Sequence, residues 1–130
     1  MLIWLDSGEQ VTEIGKRHKS FFSAGEKRLS SDEIERIKQF INSEIDTVPS
    51  ADEKSGDRAY VPGWHSPADW EGTPLEPIYK KACPGDSTLS AYWYGLVTMQ
   101  IIIDRPETWY AAKTQFKGRT IDQTVYWLRE

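Results

Sequence analysis

At 130 residues, with a net charge of −4 and a pI near 5.2, the chain has room for one domain and one core. Its charge opposes non-specific attachment to nucleic acid or an anionic membrane, and a chain this long buries roughly two-thirds of its unfolded surface without help from metals or disulfides. The lone Cys83 excludes an intrachain disulfide and fits a reducing cytoplasm, while no run approaches the ~20 apolar residues of a membrane span. Only four apolar residues, Leu2 to Leu5, separate Met1 from Asp6, so no secretory leader is expected.

Taken in chain order, Leu2-Ile3-Trp4-Leu5 suits an edge strand or a docked arm. From Ser7 to Phe22 the apolar positions Val11, Ile14, Phe21 and Phe22 share one helical face, with His18 on the same side. Gly15 opposes that helix by about 1 kcal/mol relative to Ala. The best-signalled element begins at Ser30. Ser30 and Glu33 have capping-box spacing, Leu29 and Ile34 suit a hydrophobic staple, and Ile34, Ile37, Ile41 and Ile45 follow at helical intervals. This helix should stop before Val48-Pro49, since the residue preceding proline avoids the helical region.

Residues 47–58 (TVPSADEKSGDR) are polar and read as an exposed loop. A Pro/Trp-rich loop follows, from Val61 to Tyr79, with four of the seven prolines. Thr73-Pro74 resembles a helix start, and Pro77 to Cys83 a short helical turn ended by Pro84-Gly85. Leu89 to Ile103 is long and apolar enough for a buried helix, capped by Asp86 or Ser87, with Gly95 permitting close approach of another element. Asp104-Arg105-Pro106-Glu107 has the residues of a further helix start, which would carry Trp109 and Tyr110. Lys113–Phe116 and Arg119–Leu128, separated by Lys117-Gly118, read as a β-hairpin. In its second arm Ile121, Val125 and Trp127 alternate with Thr120, Asp122, Thr124 and Tyr126, as in a half-buried strand. The expected fold is one small α+β domain over residues 1–130, with three to four helices and a C-terminal hairpin.

Catalytic and metal chemistry finds little footing. The two histidines, His18 and His65, lie far apart in sequence without a metal-ligand motif, and no second cysteine completes a zinc set. Glycine-rich phosphate loops and G-x-S-x-G are missing. No cofactor, no metal and no specific catalytic residue is therefore assigned. An enzyme would have to use Cys83 with His65 and a carboxylate such as Asp69, with Lys80 and Lys81 lowering the thiol pKa. A winged helix-turn-helix is the other alternative, with the Asp104-led helix as reader, the hairpin as wing and Lys16-Arg17-His18-Lys19 as a basic patch. Two large aromatics on that reader make nucleic acid an unfavoured partner.

The leading expectation is a cytoplasmic binding or regulatory protein that acts through an aromatic surface. Tyr60, Trp64, His65, Trp70 and Tyr79 are its candidate residues, held in a proline-stiffened loop. The partner would be another protein, a second copy of the chain, or a small ligand. The competing role for the same rings is to staple the loop onto the helices.

Overall fold

Local sequence chemistry sets the helix ends. Ser30 Oγ accepts from the Glu33 N–H at 3.1 Å, and Glu33 Oε1 accepts from the Ser30 N–H at 2.9 Å, a complete capping box. It starts helix α2, Ser31–Asp46, which ends at Thr47, as Val48-Pro49 requires. The computed structural model describes residues 1–47, 59, 60, 62, 65–116 and 119–129, so nearly all of the expected 47–58 loop lies outside the described residues. The other elements are β1 (Leu2–Trp4), β2 (Gln10–Val11), α1 (Lys16–Lys27), β3 (Ala59–Tyr60), α3 (Ser87–Asp104), β4 (Thr108–Phe116) and β5 (Arg119–Arg129). A 3₁₀ turn at Pro67–Asp69 and a π-helical turn at Ile78–Ala82 lie between β3 and α3.

The fold is α+β, with a five-stranded sheet in the order β2-β1-β4-β5-β3. β1 and β4 run parallel and every other pair is antiparallel; β4 and β5 form the C-terminal hairpin. Far from being an edge or a loose arm, β1 lies second in the sheet, with Leu2 fully buried.

Three expectations are corrected. The first helix does not begin near Ser7. Trp4 and Glu9 close a tight β1–β2 hairpin, with Gly8 at φ +73°, a conformation glycine adopts without a Cβ penalty. Gly15 caps α1 rather than interrupting it. The second correction concerns Asp104, which ends α3 instead of starting a helix. Pro106 pushes Arg105 into an extended conformation (ψ 147°), and the Trp109 N–H reaches Met1 O at 2.8 Å, committing the following residues to β4. Trp109 and Tyr110 are thus strand residues, and the winged helix-turn-helix loses its reader.

The third correction concerns where backbones meet. α3, capped by Asp86 through the Leu89 N–H at 2.9 Å, is buried at Ser90, Trp93, Tyr94, Leu96, Val97, Thr98, Ile101 and Ile102. Its close approach falls at Gly25 of α1, not at Gly95. A Cβ on Gly25 would lie 2.2 Å from Trp93 Nε1, whereas one on Gly95 would meet nothing within 4 Å. The Trp93 indole donates to Phe22 O at 3.0 Å and stacks on the Phe22 ring.

The two glycines should respond oppositely to alanine. Gly25→Ala drives a methyl group into the indole and should lower unfolding free energy by about 1–3 kcal/mol. Gly95→Ala should raise it by roughly 0.5–1 kcal/mol, because alanine costs less backbone entropy in a helix. Urea unfolding of both variants measures this; equal effects would mean that α1 and α3 do not meet at Gly25.

Candidate interaction surface

Much of the described part of the Pro/Trp-rich loop packs onto the core. Tyr60 and Trp70 are each 2% exposed and belong to the core. Tyr60 and Tyr94 hydroxyls share a 2.8 Å hydrogen bond, and the Trp70 ring meets Tyr94 edge-on at 5.5 Å. Burial raises the pKa of both tyrosines, so both hydroxyls stay protonated and one donates to the other. Trp70 Nε1 donates to His65 O at 3.2 Å, and Trp70 O accepts from Thr73 Oγ1 at 2.7 Å. His65 is half-buried against α2, with Nε2 3.3 Å from Glu44 and its ring edge-on to Phe40. Tyr79 stands apart in the π-helical turn, partly buried against the core. Trp64 lies outside the described residues. The structure thus joins Tyr60, His65 and Trp70 through the core and Tyr94.

The thiol alternative meets a physical obstacle. Cys83 is 4% exposed, and burial raises its pKa; Arg28 opposes that rise only in part. Lys80 and Lys81, expected to lower the pKa, pair instead with Glu76 and Glu33. His65 is held by α2 while Cys83 lies beside Ser90 of α3, with no contact between them. No group of three His, Cys, Asp or Glu side chains that could hold a metal ion occurs among the described residues. A shallow groove of about 450 Å³ runs between the start of α2 and the Gly72–Lys81 segment. The Glu33, Glu76, Lys80, Lys81 and Arg36 charges on its walls are already paired within the chain, so none is left calling for a ligand.

The sheet register reveals a different surface. Residues directly opposite across strands share a face. One face carries Leu2, Trp109, Ala111 and Tyr126, all in the core cluster, with Trp4, Val11 and Leu128 packed against it. The other face carries the row Gln10, Ile3, Tyr110, Trp127 and Ala59, which crosses all five strands. Ala112 and Val125 pair in the next row. Leu5, continuing β1 through its N–H to Ala111 O, adds a side chain 57% exposed.

None of Ile3, Leu5, Tyr110, Ala112, Val125 or Trp127 belongs to the core cluster or packs against it. Val125 is buried within this outer face; Ile3, Tyr110, Ala112 and Trp127 around it are half-buried.

Sequence alternation placed Val125 and Trp127 inward and Tyr126 outward; the structure puts Tyr126, 1% exposed, in the core cluster, and buries Val125, 5% exposed, on the opposite face. A one-residue change of register exchanges the two faces. The usable signal was the lack of alternation. Trp109-Tyr110-Ala111-Ala112 and Val125-Tyr126-Trp127-Leu128 are continuous apolar runs, typical of strands covered on both sides.

No protein-family model matches the chain, and neither a curated protein nor a solved structure is significantly similar to it. No described helix is long and apolar enough to cross a membrane.

Two measurements check this geometry. Native Cys83 should resist a thiol-specific reagent at mildly alkaline pH and react fully once denatured; rapid native reaction would restore the thiol alternative. Tyr60→Phe should cost about 1–3 kcal/mol by leaving the Tyr94 hydroxyl unpaired, and the Tyr60→Phe, Tyr94→Phe double variant should cost less than the sum of the singles. Strict additivity in denaturation would mean that the two hydroxyls do not interact.

Proposed function

We propose that this chain is a non-enzymatic, cytoplasmic binding protein that engages a protein partner through the outer face of its sheet. The observation that carries this reading is the five-strand row Gln10–Ile3–Tyr110–Trp127–Ala59, apolar at its centre and outside the core cluster. An apolar patch that spans a sheet costs solvation free energy unless something covers it, and such patches mark interaction sites. Tyr and Trp side by side suit such a site, because each ring contributes a large contact area with few rotamers to freeze.

The aromatic surface expected around the Pro/Trp-rich loop therefore moves to the hairpin. The loop's task is to hold β3 and the turns against α3. Burial, which raises the Cys83 pKa, disfavours that thiol as a nucleophile, and a reducing compartment suits an unpaired cysteine.

The test uses lysine on the outer face, checked for native near-ultraviolet dichroism. Partners that co-purify with the wild-type chain are themselves purified and titrated calorimetrically. Binding should show a negative heat-capacity change, and Trp127→Lys should weaken it by at least about tenfold. A folded Tyr110→Lys, Trp127→Lys variant that keeps full affinity for every such partner removes this face as the binding surface.

A further inference from the structure

Helices α1 and α3 form a second surface, separate from the outer face of the sheet, where His18 and Phe21 of α1 pack on Tyr92 of α3. We infer that this seam docks an acidic protein segment carrying a large apolar side chain. The ridge of Leu89 and Tyr92 takes the apolar group, and Arg17 and Lys113 beside it take the carboxylates.

The ridge is open. Leu89 is 44% exposed and Tyr92 41%, and residues three apart on a helix are neighbours on one face. A single exposed leucine is common and signifies nothing by itself. Here it stands one turn from an aromatic ring that is fixed in place. Phe21 meets Tyr92 edge-on at 5.0 Å, and the His18 ring is tilted against it at 5.4 Å. A ring held by two neighbours has little rotamer freedom left to lose, so a partner covers it at low entropic cost.

Hydrogen bonds prepare the polar side of the seam. Arg17 Nε donates to His18 Nε2 at 3.1 Å, so in the neutral imidazole the hydrogen lies on Nδ1, which donates to the Tyr92 hydroxyl. Burial, and then the charges of Arg17 and Lys113, lower the His18 pKa; the ring stays neutral at neutral pH, and Lys113 of β4 belongs to the same cluster. The Tyr92 O–H is left to donate to a partner. Arg17 spends only Nε on His18, and its Nη pair is the fork that takes a carboxylate through parallel bonds. Lys113 Nζ donates to Thr124 Oγ1 at 3.1 Å, a neutral partner that leaves its charge uncancelled. The first turn of α1 adds Lys16 and holds no acid. The carboxylates that flank the seam in sequence are engaged, Glu13 by Lys19 and Asp86 by the Leu89 N–H.

Charge complementarity selects the occupant. In a chain of net charge −4, the seam gathers positive charge beside exposed apolar surface. A basic or uncharged segment would gain the ridge alone, whereas an acidic one gains the ridge and the guanidinium fork. An anionic bilayer or nucleic acid would meet the chain's overall negative charge as well. The patch is small, so the contact belongs at the weak, transient end of the range.

A short fluorescein-labelled peptide, with Leu and Phe set among Asp and Glu, is titrated with the full chain by fluorescence anisotropy up to about 1 mM. Binding should saturate. Replacing the peptide's acids by Lys, or its apolar residues by Ser, should weaken it at least about tenfold. Raising the salt from about 50 to 500 mM should weaken it severalfold. Arg17→Glu and Leu89→Ser should each raise the Kd at least about fivefold. Both side chains are exposed, so both variants keep the core, which near-ultraviolet dichroism verifies.

No saturable binding up to that concentration overturns the inference, as does equal affinity for the lysine or serine peptides or indifference to both variants. Dimerisation in sedimentation velocity that Arg17→Glu abolishes would put a second copy on the seam and overturn it too. So would binding to phosphatidylserine vesicles alone. Each of these failures leaves the sheet-face reading, which Trp127→Lys tests, untouched.

Discussion

Helix α3 must be covered on nearly every side, and the arrangement of the other elements follows from that. Its residues Trp93, Tyr94, Leu96, Val97, Ile101 and Ile102 are all buried, too many for one apolar stripe. α1 covers Trp93 where Gly25 gives up its side chain to let the indole in. α2 contributes Ile37, Ile41 and Ile45, while the loop brings Trp70 onto Tyr94. The π-helical turn adds Ile78 and Ala82, and Arg28 secures it by donating to Ala82 O at 2.7 Å. The sheet closes the remaining side with Leu2, Trp109, Ala111 and Tyr126. One face of the sheet is consumed by this core, and Tyr110, Val125 and Trp127 on the other lie outside that cluster.

The end of α3 is fixed with similar economy by Arg105. Its guanidinium grips Glu107 through Nε and Nη2, reaches Asn42 at 2.8 Å and pairs with Asp46, both on α2. Glu107 in turn accepts from Trp109 Nε1, and the Arg105 contact holds its carboxyl pKa below the usual range. The carboxylate that looked like a helix-capping residue thus bonds to the arginine that ends one helix and to the second residue of β4. Pro106 makes the choice one-sided by denying Arg105 the helical region.

Elements whose identity rests on contiguous signals were legible in the sequence: α2 from its capping box and isoleucine ladder, α3 from its length and apolarity, and the hairpin from Lys117-Gly118. Elements decided by competition were not. The Asp6-Ser7-Gly8 turn outweighed the helical spacing of Val11 and Ile14, and the pairing of β1 with β4 outweighed an apparent capping box. Burial of Tyr60 and Trp70 was equally hidden, because composition marks an aromatic loop without saying which way its rings point. The loop's candidate residues were resolved only by their contacts with Tyr94, thirty-four residues on from Tyr60.

The outer face was obscured for a different reason. Alternation identifies a strand's buried side only when the opposite side is polar. In β4 and β5 both sides are apolar, so either register satisfied the pattern, and the core settled the matter by taking Tyr126. Apolar residues on this second face lie outside the core cluster, and apolar patches of that kind mark interaction sites. Their placement across the central strands, opposite one another rather than scattered, is what a covering surface would use. The same row that made the strand direction ambiguous in sequence is thus the strongest physical ground for a partner.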